Sequence, residues 1–108
     1  MKEIEFVGSS LDDLRAFPST ARRDCGFELS KVQEGRDPTS WKPMSSIGSG
    51  VREIRVKEES GAYRVIYLAS LKDAVYVLHC FVKKSERTPK PDIDLAKHRL
   101  RELLGRLT

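Results

Sequence analysis

The fold is decided by residues 51–82, which read VREIRVKEESGAYRVIYLASLKDAVYVLHCFV. Three segments of this stretch, Val51–Lys57, Ala62–Ala69 and Ala74–Val82, are rich in the β-branched and aromatic residues that favour strands. The segments between them, Glu58–Gly61 and Ser70–Asp73, are short and polar, as turns between strands usually are. The stretch therefore predicts three consecutive strands that form an antiparallel meander.

Helices are predicted both before and after this meander in the sequence. Before it, Lys2–Phe6 alternates as an opening strand, a short helix starts near Ser10 with a serine cap, and a second helix runs from Pro18 to Glu34. The apolar stripe of the second helix consists of Ala21, Cys25, Leu29 and Val32. The segment Arg36–Gly50 is rich in Pro, Ser and Gly and is predicted to be a long loop, and a last helix begins near Thr88–Pro91.

The predicted element order is β-α-α-β-β-β-α, which indicates an α+β domain. A chain of 108 residues forms one small domain, so residues 1–108 are expected to fold as a single unit. An N-terminal helical hairpin and a C-terminal helix are expected to pack against a mostly antiparallel sheet.

Composition narrows the function classes further. The chain has 20 Lys and Arg against 16 Asp and Glu, a net charge of +4 that favours anionic partners. No segment is apolar enough to span a bilayer and no secretory signal is visible, so a cytoplasmic protein with no membrane partner is expected. Cys25, Cys80, His79 and His98 do not have the spacing of a metal site, and no metal or other cofactor is predicted.

Strand alternation predicts which side chains share a face of the sheet. Four-residue turns place Arg55 opposite Arg64, and Arg64 opposite His79. One face is then a packing face of Ile54, Val56, Tyr63, Val65, Tyr67, Tyr76, Leu78, Cys80 and Val82. The other face carries Glu53, Arg55, Lys57, Arg64 and His79, with Ile66, Leu68, Val75, Val77 and Phe81 as its apolar part.

The charged face is predicted to bind an anion. Six side chains can surround one anion: Arg55, Arg64, His79, Lys83, Lys84 and Arg87. A phosphodiester fits because Arg binds phosphate through paired hydrogen bonds and Lys acts as a point charge. In RNA the neighbouring 2′-hydroxyl can attack the phosphate without a metal, while His79 or a lysine moves a proton. The alternative is a solvated face on which Glu53 neutralises Arg55 and His79 only packs.

Two further groups of residues have structural interpretations. Asp92 and Asp94 lie in the first turn of the last helix, where carboxylates favour the helix dipole. The tyrosines of the packing face are interpreted as core residues and not as a platform on which bases stack.

Four segments of the chain resemble a known family. They are residues 50–55 (GVREIR), 63–67 (YRVIY) and 78–84 (LHCFVKK), followed by Thr88-Pro89 with Ile93 and Ala96. This pattern resembles the phage-derived, HigB-like branch of the RelE/ParE toxin superfamily, and its most specific part is FVKKSERTP, residues 81–89.

The resemblance implies a RelE-like fold and the toxin of a type II toxin–antitoxin system, usually a ribosome-dependent mRNA endoribonuclease. It also implies a cognate helix-turn-helix antitoxin and contact with the ribosome and mRNA. The implied catalytic residues are Arg55, Arg64, His79 and Lys84, and the residues predicted to bind RNA are Arg52, Lys57, Lys83 and Arg87.

One departure from the family keeps an alternative open. Some relatives carry an aromatic residue in the last segment, whereas Lys84–Leu100 contains no Tyr, Phe or Trp. A non-enzymatic binding module, such as a ParE-like topoisomerase inhibitor or a phage-derived protein that binds a partner, is therefore the second hypothesis.

Overall fold

A computed structural model describes all residues 1–108 and contains a five-stranded sheet and three helices. The elements are β1 (Glu3–Phe6), α1 (Ser10–Arg15), α2 (Ser19–Gln33), β2 (Trp41–Pro43), β3 (Val51–Glu58), β4 (Gly61–Leu68), β5 (Ala74–Lys83) and α3 (Lys90–Leu107). The strand order is β1-β5-β4-β3-β2. The α+β fold class and the meander of β3, β4 and β5 are confirmed.

The two strands at the edges of the sheet are β1 and β2, and both lie outside the meander. β1 pairs in parallel with β5, so the sheet is mostly but not wholly antiparallel. β2 pairs antiparallel with β3, from Trp41 opposite Ile54 to Pro43 opposite Arg52. The prediction of an unbroken loop over Arg36–Gly50 is wrong here, because a three-residue strand in a Pro- and Ser-rich segment has too little alternation to be visible in the sequence.

The register of the central strands confirms one predicted pair and corrects the other. Arg55 lies opposite Arg64. Arg64, however, lies opposite Phe81, and His79 lies opposite Ile66, so the predicted pairing of Arg64 with His79 is wrong. The shift is two residues: the turn contributes one, because Leu68 pairs with Tyr76 and not with Val75, and a bulge in β5 contributes the other, because Leu78 is an extra residue between Val77 and His79.

The bulge also changes the faces of β5. Tyr76 and Leu78 belong to the core under α3, whereas Val75 and Val77 face α1 and α2, the reverse of the prediction. Val82 is exposed and does not belong to a packing face. Both faces of the sheet are therefore packing faces, which a strand that is apolar on both sides requires.

The N-terminal helices begin and end largely as predicted. The stripe of α2 is buried in the core on its face of the sheet, and Gly35 follows α2 with a φ of +83°. The cap of α1 is Ser9 and not Ser10. Ser10 is buried instead, and its hydroxyl donates a hydrogen bond to the carbonyl of Val77.

Helix α3 covers the other face and is fastened at the bulge. The guanidinium of Arg99 is buried and donates to the carbonyl of Leu78 at 2.9 Å and to the Ser9 hydroxyl at 2.8 Å. Gly8 passes close by, and a Cβ there would lie 2.6 Å from the Arg99 Nε. Leu104 and Leu107 near the end of α3 are exposed. None of the three helices is both long and apolar enough to cross a membrane.

Candidate functional site

The side chains on the α3 side of the sheet form rows that cross β3, β4 and β5. One row is Glu53, Ile66 and His79, the next is Arg55, Arg64 and Phe81, and the last is Lys57, Ala62 and Lys83. The last two rows, which lie nearest the turn between β3 and β4, thus carry four cations, namely Arg55, Arg64, Lys57 and Lys83. This end of the sheet therefore has a positive surface.

A buried carboxylate holds the two arginines together. Glu53 is only 1 % exposed, and its Oε1 lies 3.4 Å from the Nε of Arg64 and 3.7 Å from the Nε of Arg55. The hydroxyl of Thr88 donates to Oε2 of Glu53 at 2.7 Å. Both guanidinium groups therefore lie on one side of the sheet, as the strand parity predicts.

The two arginines differ in their exposure. The Arg64 side chain is buried, whereas about a third of the Arg55 side chain, 36 %, is exposed. Burial lowers the pKa of the Arg64 guanidinium. The negative charge of Glu53 raises this pKa and the positive charge of Arg55 lowers it, and the pKa is lowered overall. Arg55 is thus the arginine that an external phosphate can reach, and Arg64 lies behind it.

His79 is held in place and does not lie in the row of the arginines. Its Nε2 is 2.6 Å from Oδ1 of Asp92, and its ring stacks on Phe81 with 5.1 Å between the ring centroids. Its Nδ1 is buried without a hydrogen-bond partner. Asp92 therefore does more than favour the helix dipole, because it joins the start of α3 to the centre of β5.

An open cleft of about 550 Å³ lies where the last two cation rows meet α2. Its lining residues come from α2, the end of the α2–β2 connection and the three central strands: Asp24, Phe27, Glu28, Thr39, Ser40, Arg55, Val56, Lys57, Ala62, Arg64 and Lys83. Four cations against two carboxylates leave the cleft with a positive balance, which suits an anionic ligand.

The acidic wall of the cleft has internal partners. Glu28 accepts hydrogen bonds from the amide of Thr39 at 2.5 Å and from its hydroxyl at 3.0 Å, and Lys31 lies 3.4 Å away. Burial raises the pKa of Glu28, but these hydrogen bonds and the Lys31 charge outweigh it, so the pKa is lowered. Glu28 thus stays ionised while it fixes the loop beside β2.

Besides His79, three of the predicted site residues lie outside this cleft. Lys84 and Arg87 are exposed in the segment between β5 and α3, and Arg87 lines a separate cavity of about 490 Å³ with Lys42 and Thr88. Arg52 lies on the α2 side of β3, because its position has the opposite strand parity from Arg55. Its guanidinium stacks 3.9 Å from the Trp41 ring centroid and donates to Asp37 at 2.9 Å. The structure therefore does not bring these three side chains to the arginine row.

Both cysteines of the chain are free and buried. Burial raises the pKa of the Cys25 thiol to about 12, and burial likewise raises the pKa of Cys80, so neither thiol is a ready nucleophile. No group of three or more His, Cys, Asp or Glu side chains is arranged to hold a metal ion.

Sequence reasoning missed two residues that border the basic surface. Lys42 lies opposite Glu53 and therefore on the α3 side of the sheet, but it belongs to the strand that the sequence did not reveal. Phe27 lines the cleft from α2 and is exposed. The sequence does mark Phe27 in one way, because it is a large apolar residue that lies outside the apolar stripe of its own helix.

The fold and the site define a small α+β domain with a cationic cleft at one end of its sheet. The family model described as "Phage derived protein Gp49-like (DUF891)" matches residues 12–101, and the chain belongs to this family of phage-derived proteins. None of the curated proteins compared with the chain matches it. The phage-derived origin implied by the sequence resemblance is confirmed, and the assignment to the HigB-like branch stays a prediction.

Proposed function

We propose that the protein is the toxin of a type II toxin–antitoxin pair and that it cleaves mRNA on the ribosome in a HigB-like manner. Membership of the Gp49-like family supports a toxin module. The cationic cleft supports a phosphodiester substrate, because guanidinium and ammonium groups recognise phosphate oxygens. The partners in this proposal are a cognate helix-turn-helix antitoxin, the ribosome and mRNA.

The observation that carries the proposal is the pairing of Arg55 with Arg64 across neighbouring strands. Two guanidinium groups side by side are unfavourable unless a negative group lies between them. The buried carboxylate of Glu53 compensates the positive charge of Arg64, and the exposed part of Arg55 remains available for a phosphate. Lys57 and Lys83 in the next row supply further positive charge within the same cleft.

The proposed reaction uses groups of the RNA and of this chain, with solvent water as the proton acceptor. The 2′-oxygen of the substrate attacks the adjacent phosphorus, and its proton passes to the solvent. The bond from phosphorus to the 5′-oxygen breaks, and the products are a 2′,3′-cyclic phosphate and a 5′-hydroxyl. Arg55 stabilises the extra negative charge on the phosphoryl oxygens, and the ammonium of Lys83, which lines the same cleft, gives a proton to the leaving 5′-oxygen.

His79 has a positioning role in this proposal. Its Nε2 is engaged by Asp92 and its Nδ1 is buried, so neither nitrogen faces the cleft. By stacking on Phe81, the residue paired with Arg64, the imidazole supports the arginine row from the side.

The test is cleavage of mRNA by purified protein on translating ribosomes, with and without a metal chelator. Arg55→Ala is expected to lose a charge-assisted hydrogen bond of about 1.5–3 kcal/mol in the transition state, roughly a 10- to 150-fold loss in rate. Arg101→Ala, which changes an exposed arginine on α3, is the matched control and is expected to cleave like the parent. Parental rates for Arg55→Ala and Lys83→Ala together would overturn the proposed site, and cleavage that stops with chelator would overturn the metal-independent mechanism.

Two observations favour a non-enzymatic binding module as the second candidate. Arg64 is already paired with Glu53, and no aromatic residue occurs between positions 84 and 100. In that case induced expression would arrest growth while transcripts stay intact, and a supercoiling assay would detect inhibition of a topoisomerase. Intact transcripts in arrested cells would therefore decide for this candidate.

A further inference from the structure

An exposed aromatic ring lies at the wall of the cationic cleft. Phe27 projects from α2 with 59 % of its surface exposed, whereas the apolar stripe of α2 is buried. A single exposed apolar residue is ordinary on a protein surface. Phe27 differs from that ordinary case because it shares one cleft with Arg55, Lys57 and Lys83.

The orientation of the ring is set by its neighbours. The ammonium of Lys31 lies 5.3 Å from the ring centroid of Phe27, a cation–π contact that covers one face of the ring. Lys31 is itself held by the Thr39 hydroxyl at 2.6 Å and by Glu28 at 3.4 Å. The ring therefore has one face against a fixed cation and another available for a flat ligand.

The other lining groups favour a nucleotide over an apolar peptide as this ligand. Only Phe27, Val56 and Ala62 are apolar in the cleft, and Val56 is buried, so there is no continuous apolar patch. Side-by-side aromatic and cationic groups are how proteins hold single-stranded nucleic acid, with bases on the ring and phosphates on the cations.

We propose that Phe27 stacks on a base of the RNA while Lys57 and Lys83 bind the phosphate next to that base. This inference rests on the proposed function and adds to it the position of a nucleotide beside the scissile phosphate. It also places an aromatic contact on α2, in a chain whose C-terminal segment offers none.

The first test is binding of a short oligoribonucleotide that carries 2-aminopurine and 2′-O-methyl groups, so that it is not cleaved. Phe27→Ala is expected to weaken binding roughly 5- to 150-fold and to remove the quenching of the fluorescent base. Phe27→Trp is expected to restore both, because it keeps a stacking surface. Leu104→Ala, which removes a comparably exposed side chain on α3, is expected to bind like the parent.

The second test is cleavage on programmed ribosomes, where Phe27→Ala is expected to raise KM and Phe27→Trp to restore it. If the parent cleaves RNA and Phe27→Ala retains parental affinity, quenching and KM, the inference is overturned and the proposed function stands. If the parent neither binds nor cleaves RNA, the proposed function fails as well. Loss of neutralisation by a protein partner in Phe27→Ala, with RNA cleavage unchanged, would also overturn the inference.

Discussion

At the scale of single residues, the carboxylate of Glu53 determines whether the cationic surface is stable. It is almost fully buried between β2 and β4 and compensates a buried guanidinium that has no carboxylate other than Glu53 within ion-pair distance. The Thr88 hydroxyl completes its hydrogen bonding and thereby ties the segment before α3 to the sheet. One side chain thus links the arginine row to the segment that carries Lys84 and Arg87.

We therefore expect Glu53→Gln to destabilise the protein strongly. The amide keeps the bond to Thr88 but leaves the buried Arg64 charge uncompensated, a change that costs about 3–5 kcal/mol when one partner of a buried ion pair is removed. Urea unfolding at neutral pH measures this loss. Glu59→Gln, an exposed glutamate in the turn between β3 and β4, is the control. Equal midpoints for the two variants would mean that Glu53 does not stabilise the arginines.

Residue positions were predictable where the turns were regular. The predicted four-residue turn Glu58–Gly61 fixed the pair Arg55 and Arg64, and the structure confirms this pair. The position of His79 depended on β5, whose bulge has no glycine or other local signal in the sequence. The bond between His79 and Asp92 joins a strand to a helix, so no local pattern could reveal it.

At the scale of elements, the irregularity in β5 is compensated by α3. A bulge leaves backbone groups without their usual ladder partner. The Leu78 carbonyl receives its hydrogen bond from Arg99, whose second nitrogen reaches the start of α1 at Ser9. One arginine therefore joins α1, β5 and α3, and it does so beside Gly8, where a side chain would collide with it.

Replacing Arg99 with Met is expected to destabilise the protein by about 1–3 kcal/mol, because the buried Leu78 carbonyl loses its partner. Met keeps most of the side-chain volume, so the loss reports on the hydrogen bonds. Thermal and urea unfolding measure it. The matched variant Arg101→Met, at an exposed position of the same helix, is expected to unfold like the parent. An unchanged midpoint for Arg99→Met would show that the bulge is satisfied in another way.

The elements themselves were predictable to different degrees. The helices and the meander followed from apolar periodicity and turn composition, and their bounds agree closely with the structure. The faces of β5 were not predictable, because the strand is apolar on both sides and alternation then carries no information. β2 was missed because it is only three residues long and is specified by its pairing with β3.

At the scale of the whole molecule, the net charge of +4 matters less than its distribution. Arg55, Lys57, Arg64 and Lys83 line one cleft, whereas Lys72 lies in the turn at the other end of β4 and β5. An electrostatic contribution to RNA binding should therefore come from one end of the sheet.

This distribution predicts the salt dependence of RNA binding. In a plot of log affinity against log salt concentration, Lys57→Ala is expected to make the slope shallower by about 0.7, the amount for one lost contact to a single-stranded phosphate. Lys72→Ala also removes one positive charge and is expected to leave the slope unchanged. Titrations from low to moderate salt compare the two variants. Identical slopes would place the phosphate contacts elsewhere on the surface.

The parallel pairing of β1 with β5 has a consequence for the synthesis of the protein. Glu3 lies opposite Ala74 and Phe6 opposite Val77, so the first strand has no partner in the sheet until these later residues have been translated and have left the exit tunnel. Closing so long a segment is entropically costly and comes late. The nascent chain therefore cannot complete its sheet until β5 has emerged, and α3 can pack against the completed sheet only after that.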